Sequence, residues 1–122
     1  MSETSKPDFK ARILELSKAT IQVYVEGVSD YPLTIKKVPI SVFTEAERLS
    51  YKRMDDGNTR MDDGNRKAII VTHAIEEFTE KDIFWIIDKM PAGILEDLYE
   101  KVTRFSGMDR EMVHEVEAKK NS

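Results

Sequence analysis

The 122-residue sequence contains no cysteine, which removes disulfides, zinc-thiolate sites and cysteine nucleophiles at once. It also lacks a concentration of one charge. Its 19 basic and 23 acidic residues are interspersed and leave a net charge of −4, whereas a nucleic-acid face needs a concentrated basic patch. Apolar runs fall far short of the roughly 18–20 residues of a membrane helix, and the first ten residues are polar with no secretory apolar core. No G-x-S-x-G, phosphate loop or dinucleotide fingerprint occurs. The two histidines, His73 and His114, fall on the polar sides of predicted helices, and neither has an i+4 partner with which to hold a metal. These absences predict a soluble cytoplasmic protein without catalytic residues, metal or cofactor. The length predicts one domain with a modest core.

What is present is organised around residues 79–108, which read as two helices meeting at a proline and closed by a glycine. Thr79 and Asp82 form a shortened capping pair at the start of the first. At about 100° per residue, Ile83, Ile86, Ile87 and Met90 share one arc and are predicted to pack inward, while Phe84 and Trp85 point away from it. Pro91 disfavours helix at Met90 and suits the first turn of a new helix. In that second helix Ile94, Leu95, Leu98, Val102 and Phe105 form a stripe, Glu96, Asp97, Glu100 and Arg104 take the wet side, and Gly107 is placed as a left-handed C′ residue.

Upstream, residues 1–7 read as a flexible arm, followed by a short helix that Asp8 caps, with Phe9, Ile13 and Leu16 on one arc. From Thr20 the period changes to alternation: Ile21, Val23 and Val25 against Gln22, Tyr24 and Glu26 predict a strand. Turn residues at 27–32 and a second strand with Leu33 and Ile35 on one face complete a hairpin with a long loop, ended by Pro39. The box Thr44-Glu45-Ala46-Glu47 predicts a helix over 45–54 with a thin apolar face of Ala46, Leu49 and Met54. The hexapeptide RMDDGN then occurs twice, at 53–58 and 60–65. Its Asp, Gly and Asn predict a mobile loop over 55–66 or two successive turns. A third helix is expected from Lys67 or Ala68, with Ile70, Val71, Ala74, Ile75 and Phe78 opposite Thr72 and His73; a buried strand over 68–71 is the alternative. Residues 109–122 read as a C-terminal helix fraying into a polar tail. The fold class expected is α+β, an N-terminal β-hairpin packed with a mostly helical domain of four to five short helices spanning 8–108.

Three features invite a functional reading. Asp55, Asp56, Asp62 and Asp63 could gather a hard cation, but their spacing does not follow the calcium-loop order, so solvated turns are expected. The paired helices of 80–106 resemble a helix-turn-helix unit, yet Glu96, Asp97 and Glu100 would repel phosphates. Phe84 and Trp85 are the stronger lead: large aromatics off the buried arc are covered either by another layer of the same protein or by a partner.

The segment KVTRFSGM (101–108) resembles the V-x-R-L-S-G-M end of the tail assembly chaperones of long-tailed bacteriophages, the lambda protein G type, with Phe105 in place of the leucine. The preceding order is also similar: a β-prone stretch at VEGVSDYPLTIKKVPI, a capped polar helix at TEAERL, a charged variable loop, an apolar helix led by Asn65-Arg66-Lys67, and a proline before the last long helix. The resemblance implies a protein of the bacterial host cytoplasm, absent from the finished virion, that coats the tape measure protein and is displaced as tube subunits assemble. The candidates for partner contact are Phe84 and Trp85, from their place off the buried arc, together with the turn Phe105, Ser106, Gly107 and Met108 at the end of the resembling motif. The resemblance also implies a longer product made by backward slippage of the ribosome near Lys119, Lys120 and Asn121, whose extension recruits the tail tube protein. The alternatives are a structural or regulatory interaction module, such as a tail-completion protein, and a small helix-turn-helix protein.

Overall fold

The longest run of consecutive buried residues, 68–72, is Ala-Ile-Ile-Val-Thr, and the helix that carries it is the centre of the molecule. The computed structural model describes residues 6–28 and 30–107. In chain order its elements are α1 (Lys6–Ser17), β1 (Thr20–Val23), β2 (Leu33–Lys36), α2 (Ile40–Leu49), β3 (Tyr51–Arg53), β4 (Thr59–Met61), α3 (Asp63–Ala74), α4 (Asp82–Lys89) and α5 (Ala92–Phe105). The chain is α+β, with two separate antiparallel hairpins and five helices among the described residues. Expectations for Met108, His114 and the helix over 109–122 lie outside the described residues. No described helix is long and apolar enough to cross a membrane.

α3 packs against α2, α4 and α5, so the frame of the fold is α3 rather than the 79–108 pair. Six of its twelve residues are buried. A helix with three neighbours has no wet side along its middle, which is why Thr72, expected opposite the apolar arc, is 5% exposed. Its hydroxyl donates to the Ile69 carbonyl at 2.8 Å, so burial leaves no polar atom unpaired. The strand alternative over 68–71 is not taken.

The first hairpin forms where the alternation predicts, although β1 ends at Val23 and Ile21, expected on the inward face, is 39% exposed. Val23 pairs with Leu33 and Ile21 with Ile35; Val23, Val25 and Ile35 join the core while Gln22, Tyr24 and Glu26 face out. The other edge of β2 is closed by the chain leaving α3. Ile35 bridges to Ile75, Glu76 N–H donates to the Thr34 carbonyl at 3.0 Å, and Thr34 N–H donates to Glu77 Oε1 at 2.7 Å. That last bond holds the Glu77 carboxyl below its usual value.

Two expectations between the hairpin and α3 are corrected. α2 starts at Ile40, after Pro39, and not at Glu45, so Thr44 lies inside the helix and its capping box is not the start. The earlier start lets Val42 and Phe43 pack on the core beside buried Ala46, a larger apolar face than 45–54 could offer; Leu49 is exposed and Met54 lies beyond the helix.

The stretch expected as a loop contains a second hairpin and the first turn of α3. The first RMDDGN copy ends β3 and turns: Met54 N–H donates to the Asn58 carbonyl (2.7 Å), Asn58 N–H donates to Asp56 Oδ1 (2.9 Å), and Gly57 has φ +85°. The second copy ends β4 and opens α3. Asp62 accepts from Asn65 N–H at 3.1 Å as the N-cap, and Gly64 and Asn65 are helical. Ser50 ties this hairpin to the helices. Its hydroxyl donates to the Ala46 carbonyl (2.6 Å) and accepts from Asn65 Nδ2 (3.0 Å), and its carbonyl accepts from Asp62 N–H (2.7 Å).

α1 begins at Lys6, two residues before the expected cap Asp8. From Asp8 to Ser17 every residue is exposed, including Phe9 (60%), Ile13 (46%), Leu14 (61%) and Leu16 (48%).

Candidate partner-binding surface

α4 is set up by a turn in which Asp82 N–H donates to the Thr79 carbonyl and Thr79 N–H donates back to Asp82 Oδ2 at 2.7 Å. Only the Asp82 half of the expected capping pair forms: the Thr79 hydroxyl donates to Asp82 Oδ2 at 3.4 Å in place of accepting a backbone N–H, and the helix proper starts at Asp82, because 79–81 close as a turn first. At the other end Met90 is extended, as a residue before proline must be, and α5 begins after Pro91.

α4 packs chiefly on α3, and a single neighbour covers only a narrow arc. Ile86 is buried and Ile83 and Met90 are half-buried, but Ile87, expected inward, is 48% exposed. The covered arc is centred on Ile86, which turns Ile87 out beside Phe84, its i−3 neighbour. Phe84 is 81% exposed and Trp85 54% exposed, and none of the three belongs to the core cluster. Of the two explanations open to the sequence, coverage by another layer is not what the described chain provides.

The other expected contact residues do a different job. Phe105 completes the α5 stripe, half-buried against the core, with the Lys37 ammonium 5.3 Å from its ring centroid. Ser106 Oγ accepts from Val38 N–H at 2.9 Å, and Gly107 takes φ +81°, the left-handed C′ position predicted for it. Phe105, Ser106 and Gly107 thus fasten the end of α5 to the segment after β2. Phe84 and Trp85, on α4, take no part in this fastening and lie outside the core cluster.

Polar groups elsewhere are committed to each other. Arg66 donates to Asp63 Oδ1 (2.7 Å) and to the Tyr99 hydroxyl (2.7 Å); Lys67 Nζ lies 2.6 Å from Glu96 and 3.2 Å from Asp63. The Arg66 hydrogen bond, with Lys67 adding, holds the Asp63 carboxyl below the usual range. Asp62 is lowered likewise, first by Lys52 and then by the Asn65 backbone. This network joins the starts of α3 and α5 and fills the rim of a cleft of about 320 Å³ beside Phe43 and Met61. A wider groove of about 510 Å³ lies between 24–26 and the first half of α5, where Asp97 and Lys101 pair with each other at 2.5 Å. Asp55 and Asp56 sit at the tip of the second hairpin while Asp62 and Asp63 cap α3, so the four aspartates do not converge. Among the described residues no group of three or more His, Cys, Asp or Glu side chains could hold a metal. His73 is exposed on α3.

No protein-family model matches this sequence, and neither a curated protein nor a solved structure matches it.

Proposed function

We propose that this chain is a non-catalytic assembly chaperone that binds and solubilises the tape measure protein during phage tail morphogenesis. The observation that supports the reading is the uncovered face of α4. Phe84 stands exposed on α4 with Ile87 on one flank and Trp85 on the other, and none of the three is covered by the core of the described residues. Aromatic residues held rigid at a surface are the side chains that anchor protein interfaces. An extended amphipathic client is recognised by such apolar strips, each covering one or two of its turns. α5 turns Glu96 and Glu100 outward, which disfavours the helix-turn-helix alternative.

The test is co-expression with the tape measure protein of the same genome. The client is expected to aggregate alone and to become soluble, and to co-purify, with this chain present. Trp85→Ala is expected to abolish the rescue while the variant itself remains folded. Solubility that does not change on co-expression would sink the reading.

A further inference from the structure

We propose that in the absence of any other partner the chain forms a closed dimer in which α1 of each copy lies on the α4 face of the other. Among the described residues, α1 and α4 each carry an uncovered apolar face. On α1, Phe9, Ile13 and Leu16 share an arc, and all are 46% exposed or more; on α4, Phe84, Trp85 and Ile87 are 48% exposed or more. A 12-residue helix is marginal in water by itself, so α1 needs a surface to hold it, and the described residues of its own chain supply none.

Charge selects the α4 region as that surface. Residues 8–18 carry Lys10, Arg12 and Lys18 against Asp8 and Glu15, a basic surplus in an acidic protein. Residues 76–89 carry Glu76, Glu77, Glu80, Asp82 and Asp88 against Lys81 and Lys89, an acidic surplus. Opposite potentials across an interface favour the encounter and fix its register.

The connection limits what α1 can reach on its own chain. Only Lys18 and Ala19 separate α1 from β1, and their N–H groups donate to the Glu15 and Leu16 carbonyls of α1 at 3.2 Å. No described residue buries any part of α1 from Asp8 to Ser17. Size is also adequate. A half-exposed aromatic or large aliphatic side chain offers roughly 100 Å², and one helix lying over Phe84 covers only one of Trp85 and Ile87 beside it, so five side chains give about 500 Å² of apolar surface per copy. With flanking polar atoms this approaches the ~800 Å² per partner of a stable interface. Because each copy has one α1 and one α4, the exchange closes on itself about a two-fold axis.

The exchange stands independently of the chaperone reading. It uses the same α4 face that the chaperone reading gives to the client.

The absence of cysteine makes the test clean. Full-length Ile13→Cys and Phe84→Cys chains, each with one thiol at an exposed position, are mixed and oxidised with oxidised glutathione, and the products are weighed intact. Mixed disulfide dimers joining the two variants are expected to outnumber like-with-like dimers. Sedimentation of the unmodified chain is expected to give a dimer that Ile13→Asp weakens by about tenfold or more, the loss of one buried anchor. Far-UV circular dichroism checks that the variants stay folded. Four results overturn the proposal: a monomer up to about 1 mM, where even weak specific contacts are half-formed; like-with-like dimers dominating; a chain carrying both cysteines that closes on itself as a monomer; and open polymers in place of dimers. Each of these leaves the co-expression result untouched.

Discussion

α3 and α4 are neighbours in space and opposites in use. α3 opens with five polar or glycine residues and still buries six of its twelve, whereas α4 has five consecutive apolar residues, 83–87, among its eight and fully buries only Ile86. The more apolar helix is the less covered one. Burial in this protein follows the number of packing neighbours, three for α3 and chiefly one for α4, and not local hydrophobicity. The surplus on α4 is therefore not part of what stabilises the fold, and its retention on a surface needs another reason.

That contrast is broken most directly in the core. Ile70, fully buried on α3, should cost about 2–5 kcal/mol as Ile70→Ala, the range for emptying a packed aliphatic site. Urea denaturation measures it, and a loss below about 1 kcal/mol would show that α3 is not the centre. Ser50→Ala should cost about 1–3 kcal/mol, because it leaves Asn65 Nδ2 without its acceptor at a buried junction.

The two RMDDGN copies bear on how α3 starts. Gly57 is left-handed at φ +85°, so Gly57→Ala is expected to destabilise by about 1–2 kcal/mol. Gly64 is helical, and an added Cβ would meet only Asp62 Oδ1 at an ordinary 3.6 Å. Gly64→Ala should therefore stabilise, by up to about 1 kcal/mol. Opposite signs from one hexapeptide are the expected outcome of paired thermal melts; equal signs would mean that the copies share a conformation.

The same duplication explains what was legible. α5 and the first hairpin could be read because a stripe at Leu95, Leu98 and Val102 and an alternation at Val23, Val25 and Ile35 persist long enough to fix a period. RMDDGN has identical local preferences in both copies. The residues downstream of each copy separate them: Thr59–Met61 pairs back on Tyr51–Arg53, while Arg66 onward propagates a helix held by α2, α4 and α5. The start of α2 was hidden for a related reason, since the strong box at Thr44 outweighs Pro39 unless the burial of Val42 and Phe43 is known. In the candidate surface, Phe84 and Trp85 were legible because they lie off any arc that includes Ile86. The role of Ser106 was not, because its donor, Val38, is 68 residues away.

A smaller effect is expected from acid. The Asp62, Asp63 and Glu77 carboxyls lie below their usual values of 3.8, 3.8 and 4.5 in the fold. A carboxyl held lower in the folded than in the unfolded chain stabilises above its unfolded value and loses that contribution as pH falls through the folded one. The urea midpoint should thus be flat from neutral pH down to about 5 and fall below that, and it should fall less steeply in Glu77→Gln, which removes one such group.

The smallest stability effect, and the most direct test, belongs to α4. Trp85→Ala should lower the stability of dilute protein by no more than about 1 kcal/mol, against the ~3–5 kcal/mol of an emptied aromatic core site, while binding to the tape measure protein, measured on the same preparation, is lost. Binding unchanged alongside a core-sized loss of stability would contradict the account, because Trp85 would then belong to the fold and not to a partner.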